Sequence, residues 1–319
     1  MRSEKDMYSN TQIRSQFVAR QISLSHSAVN RSVAARQAAI ARLQEQLTTG
    51  KQINRPSDDA PGFSIADAMS TSLRRYEQYE RTITGARLWL DESESALSGI
   101  SDILTDAYEE GIRTINATMN SDDLEASAQE IEGWLTMVVD RLNAKAGNEY
   151  VFAGGKTTAA PFAIDNSASA DAAGVTYYGD DLSLTRTITD DLDLPINLTG
   201  LAINDVGSGD TITSVLQELA DAVRSGNTTA IETALEKTTG ARNHVLGRTA
   251  EIGSVSNRMQ IAEGQLQETI TLATARRSRV EDADVAETIT ELQLQQLRMQ
   301  AATQALLSIQ QLDITNFLT

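Results

Sequence analysis

The sequence predicts a mainly α chain in which long coiled-coil-like helices from the N- and C-terminal segments form a helical rod around a small inserted β-domain. Three observations carry this. Apolar residues recur at seven-residue spacing over long stretches near both ends. Phe, Tyr and Trp make only 4% of the 319 residues although 40% are hydrophobic, so the core is built from aliphatic side chains and Met, which suits helix packing. The middle breaks that rhythm with Gly, Pro and Asp turns between short β-rich pieces.

In the N-terminal part, Ile22, Val29, Arg36 and Leu43 form one track, and His26, Val33, Ile40 and Leu47 form the other. They alternate at spacings of four and three, the pattern of a helical seam, with His26 and Arg36 as interruptions. No second His or Cys lies near His26 in sequence, so it reads as a seam residue rather than a ligand. Gly50 offers a C-cap. In Asn54-Arg55-Pro56-Ser57-Asp58-Asp59, the proline biases Arg55 to extended geometry and the Ser or Asp residues can cap the next helix.

A second seam follows. Met69, Tyr76, Ile83, Leu90, Leu97 and Leu104 keep an unbroken spacing of seven, with Ile65, Ser72, Tyr79, Ala86, Ser93, Ile100 and Ala107 as the companion track. Periodic runs of this length mean coiled coil or rod. The pattern breaks near Asn120–Asp123 and resumes as an amphipathic segment from about 124 to 146. In the C-terminal third, Val245, Ile252, Met259, Leu266, Ala273 and Val280 form another strict track. Asp284 and Glu287 then have capping-box spacing and start a last helix carrying Val285, Ile289, Leu292, Met299 and Leu306. Each terminal helix is amphipathic and has no local partner except the other, and a lone helix of this kind is marginal in water.

Within 150–212, Tyr150-Val151-Phe152, Val175–Tyr178 and Leu182–Ile188 read as strands, the last by its period-two alternation. These segments define three parts: terminal helices at 8–50 and 284–318, helical rod segments at 51–149 and 213–283, and a β-rich part at 150–212.

Charge is distributed unevenly. The net −17 divides into +5 for residues 1–88, −18 for 89–212 and −4 for 213–319. So acidic a middle is unsuited to nucleic acid or an anionic membrane surface and reads as a solvated face. No stretch approaches the roughly 18 consecutive apolar residues of a membrane span, and the first thirty residues hold no secretory h-region. Whether Met1 or Met7 starts the chain is left open by the sequence.

Candidate chemistry is sparse. There is no cysteine and only two histidines. Gly154-Gly155-Lys156-Thr157 resembles the end of a phosphate-binding loop, but the position for the first glycine holds Tyr150, so the strand turn is the better reading. Asp180, Asp181, Asp190, Asp191 and Asp193 fit no calcium-loop spacing. No catalytic residue, metal ligand or cofactor site is expected, and the chain reads as a non-enzyme. Helices that cannot bury their stripes alone point instead to self-assembly into a ring or a helical polymer.

Leu47–Ala60, which reads LTTGKQINRPSDDA, is similar to the segment after the first helix of the bacterial flagellin family. Asp282-Ala283-Asp284 and the Gln- and Ala-rich run from Leu292 to Leu318 resemble that family's closing helix. Asn148–Thr157, Pro161-Phe162, Val175–Asp180 and Asn197–Gly200 resemble the branch of the family that joins hook to filament. Ala60-Pro61-Gly62 and Ile65-Ala66-Asp67 look more like filament flagellin, which stands as an alternative beside a non-flagellar secreted helical surface protein. The resemblance implies a structural subunit of the flagellum, exported unfolded by the flagellar type III apparatus with a dedicated chaperone and without a cleaved signal. Its neighbours would be copies of itself, a hook-associated protein and flagellin. Ile22, Val29, Val33, Ile40, Leu43, Leu47, Val285, Ile289, Leu292, Met299 and Leu306 would then be assembly seams, and the Met69–Leu104 and Ile252–Leu266 tracks rod seams.

Overall fold

The computed structural model describes residues 27–116, 119–165, 167 and 169–317. Ile22, His26 and the stretch 8–26 lie outside these residues, as does the side chain of Leu306.

Seven helices make up most of the described chain: α1 (27–49), α2 (Ala60–Asn116), α3 (Ser121–Leu142), α4 (Gly200–Asn204), α5 (Ile212–Ser225), α6 (Thr228–Glu281) and α7 (Val285–Phe317). At 1.5 Å per residue, the 57-residue α2 is about 85 Å long. Pro61 falls in its first turn, where a missing N–H costs nothing, and Asp59 Oδ1 accepts from Gly62 N at 3.2 Å. Asn120 starts α3 with a complete capping box: its side chain accepts from Asp122 N and Asp123 N, and Asp123 accepts from Asn120 N. Thr211 does the same for α5 through Ser214, and Gly226, in the left-handed region at φ +65°, ends it.

The described chain divides into two compact units, one reaching Leu73 and resuming at Leu272, the other Arg74–Thr271. In the second unit the α2 track at Ile83, Leu90, Leu97 and Leu104 and the α6 track at Ile252, Met259 and Leu266 are all buried, with Ile100 and Ala107 beside them. Helices α3 and α5 pack on each other within the same core. Arg224 of α5 reaches Glu125 at 2.9 Å and Glu132 at 2.6 Å on α3, and these hydrogen-bonded carboxylates push its guanidinium pKa up. At the start of α2 the seam changes flank. Ile65 is half exposed, whereas Ala66 and Leu73, on the other side of the half-buried Met69, are buried. A seven-residue spacing locates a stripe but not which of its flanks a partner covers.

The β-rich part contains four antiparallel hairpins that share no sheet: β1 (Lys145–Ala146) with β2 (Glu149–Tyr150), β3 (Phe162–Ile164) with β4 (Val175–Tyr177), β5 (Thr185–Thr189) with β6 (Leu192–Pro195), and β7 (Asp205–Gly207) with β8 (Asp210–Thr211). The strand expected over Leu182–Ile188 begins only at Thr185, and Leu182 is exposed. Two-stranded hairpins are marginal alone. Here Phe152, Phe162, Val175, Ile188, Leu194 and Ile203 join the same buried cluster as Leu97 and Ile100, so helix packing holds the hairpins. Phe162 and Tyr177 pack across β3 and β4 with ring centres 5.0 Å apart and planes tilted by 45°.

Several acidic residues of this region are engaged by the chain itself. Asp180 Oδ1 accepts from Gly155 N at 2.6 Å and Leu182 N at 3.2 Å, bonds that hold its carboxyl below the usual range. Asp181 accepts from Thr199, and Asp190 accepts from Tyr79 Oη at 2.7 Å and pairs with Arg75. Among the described residues no three His, Asp or Glu side chains are grouped to hold a metal ion, and no helix is long and apolar enough to cross a membrane.

Candidate assembly interface

The first unit is built around a short strap that ties the end of α1 to the start of α7. Gly50 takes φ +70°, which lets the chain leave α1 sharply, and its carbonyl accepts from Ala283 N at 2.9 Å. Gln52 N donates to Glu281 O at 2.7 Å, Gln52 Nε2 to Val280 O at 2.9 Å, and Lys51 bridges antiparallel to Asp282. The Lys51 ammonium pairs with the Glu281 carboxylate. Asp58 Oδ2 closes the following turn by accepting from Asn54 N and Arg55 N at 3.1 Å each. The bond from Asn54 is the main reason its carboxyl lies below the usual range. Arg55 in turn pairs with Glu45 of α1 at 2.6 Å. The Asn-Arg-Pro-Ser-Asp-Asp segment is therefore a hydrogen-bonded turn that fixes where α1 stops.

Asp284 caps α7, accepting from Ala286 N at 2.9 Å and Glu287 N at 3.1 Å, the forward half of a capping box. From that fixed start α7 lies near α1: Leu43 and Gln46 share a shallow cleft with Ala283, Glu287, Thr288 and Glu291. On α1, Val29, Val33, Ile40, Leu43 and Leu47 are all half-buried. Arg36, in the middle of that stripe, is half-buried too, and its Nε–H is screened from water without an acceptor among the described residues.

The covered face of α7 is not centred on its apolar track. Among its described side chains Thr288 alone is buried, with Gln295 and Ala302 half-buried along the same line and Leu292 and Met299 half-buried at its edge. Val285 is 52% exposed, and Ile289 and Leu307 are exposed with it. At about 100° per residue these three fall within roughly 40° of one another on the helix wheel. Leu294 and the 63% exposed Leu297 face a further side. These two leucines lie off the seven-residue track, so periodicity alone missed them; their sequence signal is the i, i+3 pair inside Leu292–Leu297. Helix α7 thus keeps much of its apolar surface in water, more than an isolated chain is served by exposing.

Two family models match the chain. The bacterial flagellin N-terminal helical region covers residues 22–157 and the bacterial flagellin C-terminal helical region covers residues 235–318. Flagellar hook-associated protein 3 of Escherichia coli is 26% identical over 293 residues, spanning 85% of this chain and 90% of that protein. Flagellar hook-associated protein 3 of Salmonella typhimurium is 32% identical over 163 residues, 51% of this chain and 49% of that protein. In fold, the chain is similar to the crystal structure of flagellar hook-associated protein-3 from Legionella pneumophila, with a TM-score of 0.60 at 14% identity, covering 67% of this chain and 98% of that one. Helical ends that match both models, joined by the strap at Gly50–Gln52 and Val280–Ala283, place this chain in the bacterial flagellin family.

Proposed function

We propose that this chain is a structural subunit of the flagellum that connects hook to filament and assembles through its terminal helices. The observation that carries the reading is α7, anchored by the strap yet bearing Val285, Ile289, Leu297 and Leu307 on faces that its own unit leaves in water. Burial of such side chains against neighbours contributes about 25 cal/mol per Å² of apolar surface removed from water. The choice of junction over filament is supported by the two hook-associated protein 3 relatives, 26% and 32% identical to this chain over their matched spans. In this reading 8–50 and 284–318 form an inner layer, 51–149 and 213–283 the layer around it, and 150–212 faces outward with its acidic surface in water. The partners are further copies of the chain, a hook-associated protein and flagellin. Export unfolded through the type III apparatus, with an export chaperone, is compatible with a chain that has no cysteine to crosslink. No cofactor takes part.

The test is deletion of the gene and complementation with Leu297→Asp. Deletion should leave hooks without filaments while flagellin is shed into the medium. Leu297→Asp should be exported with an unchanged monomer circular dichroism spectrum and fail to restore filaments, because a buried carboxylate costs several kcal/mol. Intact flagella in the deletion strain would end the flagellar reading. Full complementation by Leu297→Asp would end the role given to α7.

A further inference from the structure

Arg81, Gly85 and Trp89 follow one another at i, i+4 and i+8 and so lie on one face of α2. A Cβ at Gly85 would meet nothing within 4 Å, so the glycine leaves a gap between the guanidinium and the indole. Hairpins β1/β2 and β5/β6 close this gap into a cleft by contributing Glu149 and Arg186, with Ile196 just beyond β6. Three features of the cleft favour an incoming acceptor. Trp89 is 5% exposed, and its Nε1–H is screened from solvent with no hydrogen-bond partner. A buried donor left in that state is destabilising, a cost that any acceptor reaching it removes. Arg186 forms no ion pair among the described residues, and Arg81 donates only to the neutral Gln78 Oε1, at 2.9 Å. Glu149, the cleft's one carboxylate, accepts from Thr157 Oγ1 at 3.1 Å and pairs with neither arginine. Arg186 is one of only five Lys and Arg residues in 89–212, a stretch that carries −18, and Arg81 lies just before it.

We infer that this cleft receives a carboxylate side chain from a second copy of the chain. An Asp or Glu oxygen matches the fork of a guanidinium and accepts from an indole N–H, whereas an ammonium group matches neither. Charge complementarity names the source. The exposed surface of 89–212 is rich in carboxylates, among them Asp191 and Asp193, which have no bonded partner among the described residues. A copy packed alongside therefore presents acid to the basic cleft. Each junction between copies would then add one charge-assisted contact in the acidic region, where bare carboxylates would otherwise repel.

The inference rests on the assembly reading, and two variants separate the two. Arg81→Glu with Arg186→Glu reverses the cleft's charge. Gly85→Glu fills the gap with the chain's own carboxylate while replacing a helix-weakening glycine, so the fold is not the casualty. In cells carrying only the variant, both should be exported at wild-type level with an unchanged monomer melting temperature. Each should lower the fraction of filament-bearing cells about tenfold or more, while Arg81→Lys with Arg186→Lys should retain most of it. A scan placing Lys at exposed carboxylates between 89 and 212 in the doubly reversed chain should return at least one position that restores filaments. Wild-type assembly by either variant overturns the inference, as does a scan with no restoring position, which would move the carboxylate to another protein. Failure of the assembly reading itself shows separately, as normal flagella after gene deletion.

Discussion

Replacing Gly154 by Ala tests how the hairpin region is held together. Gly154 sits at φ +66°, and a Cβ there would collide with the backbone carbonyl oxygen and the carboxylate of Asp180, with the carbonyl carbon 2.8 Å away. The collision is with main chain, which a rotamer change does not relieve. Asp180 is also pinned: its N donates to Ala153 O at 3.2 Å, its carbonyl accepts from Tyr177 Oη at 2.8 Å, and its Oδ1 accepts from Gly155 N. Gly147 provides the control, with nearly the same φ of +64° and nothing within 4 Å of its Cβ. The left-handed backbone costs an alanine about 1–2 kcal/mol at either site. Overpacking adds about 1–3 kcal/mol at Gly154 alone. Gly147→Ala should therefore destabilise by about 1–2 kcal/mol and Gly154→Ala by about 2–5 kcal/mol. Urea unfolding of the monomer, followed by the fluorescence of Trp89 and Trp134 in the same unit, measures both. Equal losses within about 0.5 kcal/mol would refute the claim that close approach, and not backbone handedness, makes Gly154 necessary.

Burial pushes the Tyr177 phenol up to about 12. A raised folded value means the contribution is complete below pH 10 and lost as pH rises through about 12. Tyr79 and Tyr178 are also raised, through hydrogen bonds to Asp190 and Asp165, so titration of tyrosinate absorbance should show a late component that shrinks by one tyrosine in Tyr177→Phe, whose stability should fall less steeply over that window. An unchanged late component would remove the assignment. Leu97→Ala, at a fully buried site, should cost the monomer about 2–5 kcal/mol. Leu297→Ala, 63% exposed, should stay within about 0.5 kcal/mol in the monomer while weakening assembly. Thermal unfolding beside filament counts separates the two effects, and a large monomer loss in Leu297→Ala would show that this leucine is covered within one chain.

Much of the fold was legible because a seven-residue period is a strong, local and repeated signal. It located the buried tracks Ile83–Leu104 and Ile252–Leu266 and the break near Asn120, while capping-box spacing located the start of α7 at Asp284. What it did not locate depends on contacts distant in sequence. Helix α5, only 14 residues long, offered no repeat to follow, yet Ile212, Leu216, Leu219 and Val223 are all buried. Gly111 of α2 illustrates why: a Cβ there would press on Leu235 and Leu219, so α2 approaches α5 and α6 at a glycine that no periodic pattern singles out. The four hairpins share no ladder, and their positions are set by Phe152, Phe162 and Ile188 entering a helical core, which strand propensity does not encode. At the basic cleft the i, i+4, i+8 set of Arg81, Gly85 and Trp89 was readable, but Arg186 and Glu149 reach it only through the hairpins.

The same distinction explains α7. A period of seven finds residues that share a stripe, and on α7 that stripe runs along the edge of the face turned toward α1. Among the described side chains, the centre of that face is polar or small, Thr288, Gln295 and Ala302, and Thr288 Oγ1 donates to Asp284 O at 2.7 Å. A helix that closed only on its own chain would place its leucines at that centre, since each leucine side chain buried contributes about 1.5–3 kcal/mol. Here Leu292, Leu294, Leu297 and Leu307 flank the intramolecular contact or face away from it, and a strap of backbone hydrogen bonds from Gly50 to Ala283 holds the helix start. Anchoring is thus assigned to the strap and apolar burial is left to partners. The monomer is weakly closed at α7 by construction, and the side chains that would close it best, Val285, Ile289 and Leu297, are those a neighbouring copy would cover.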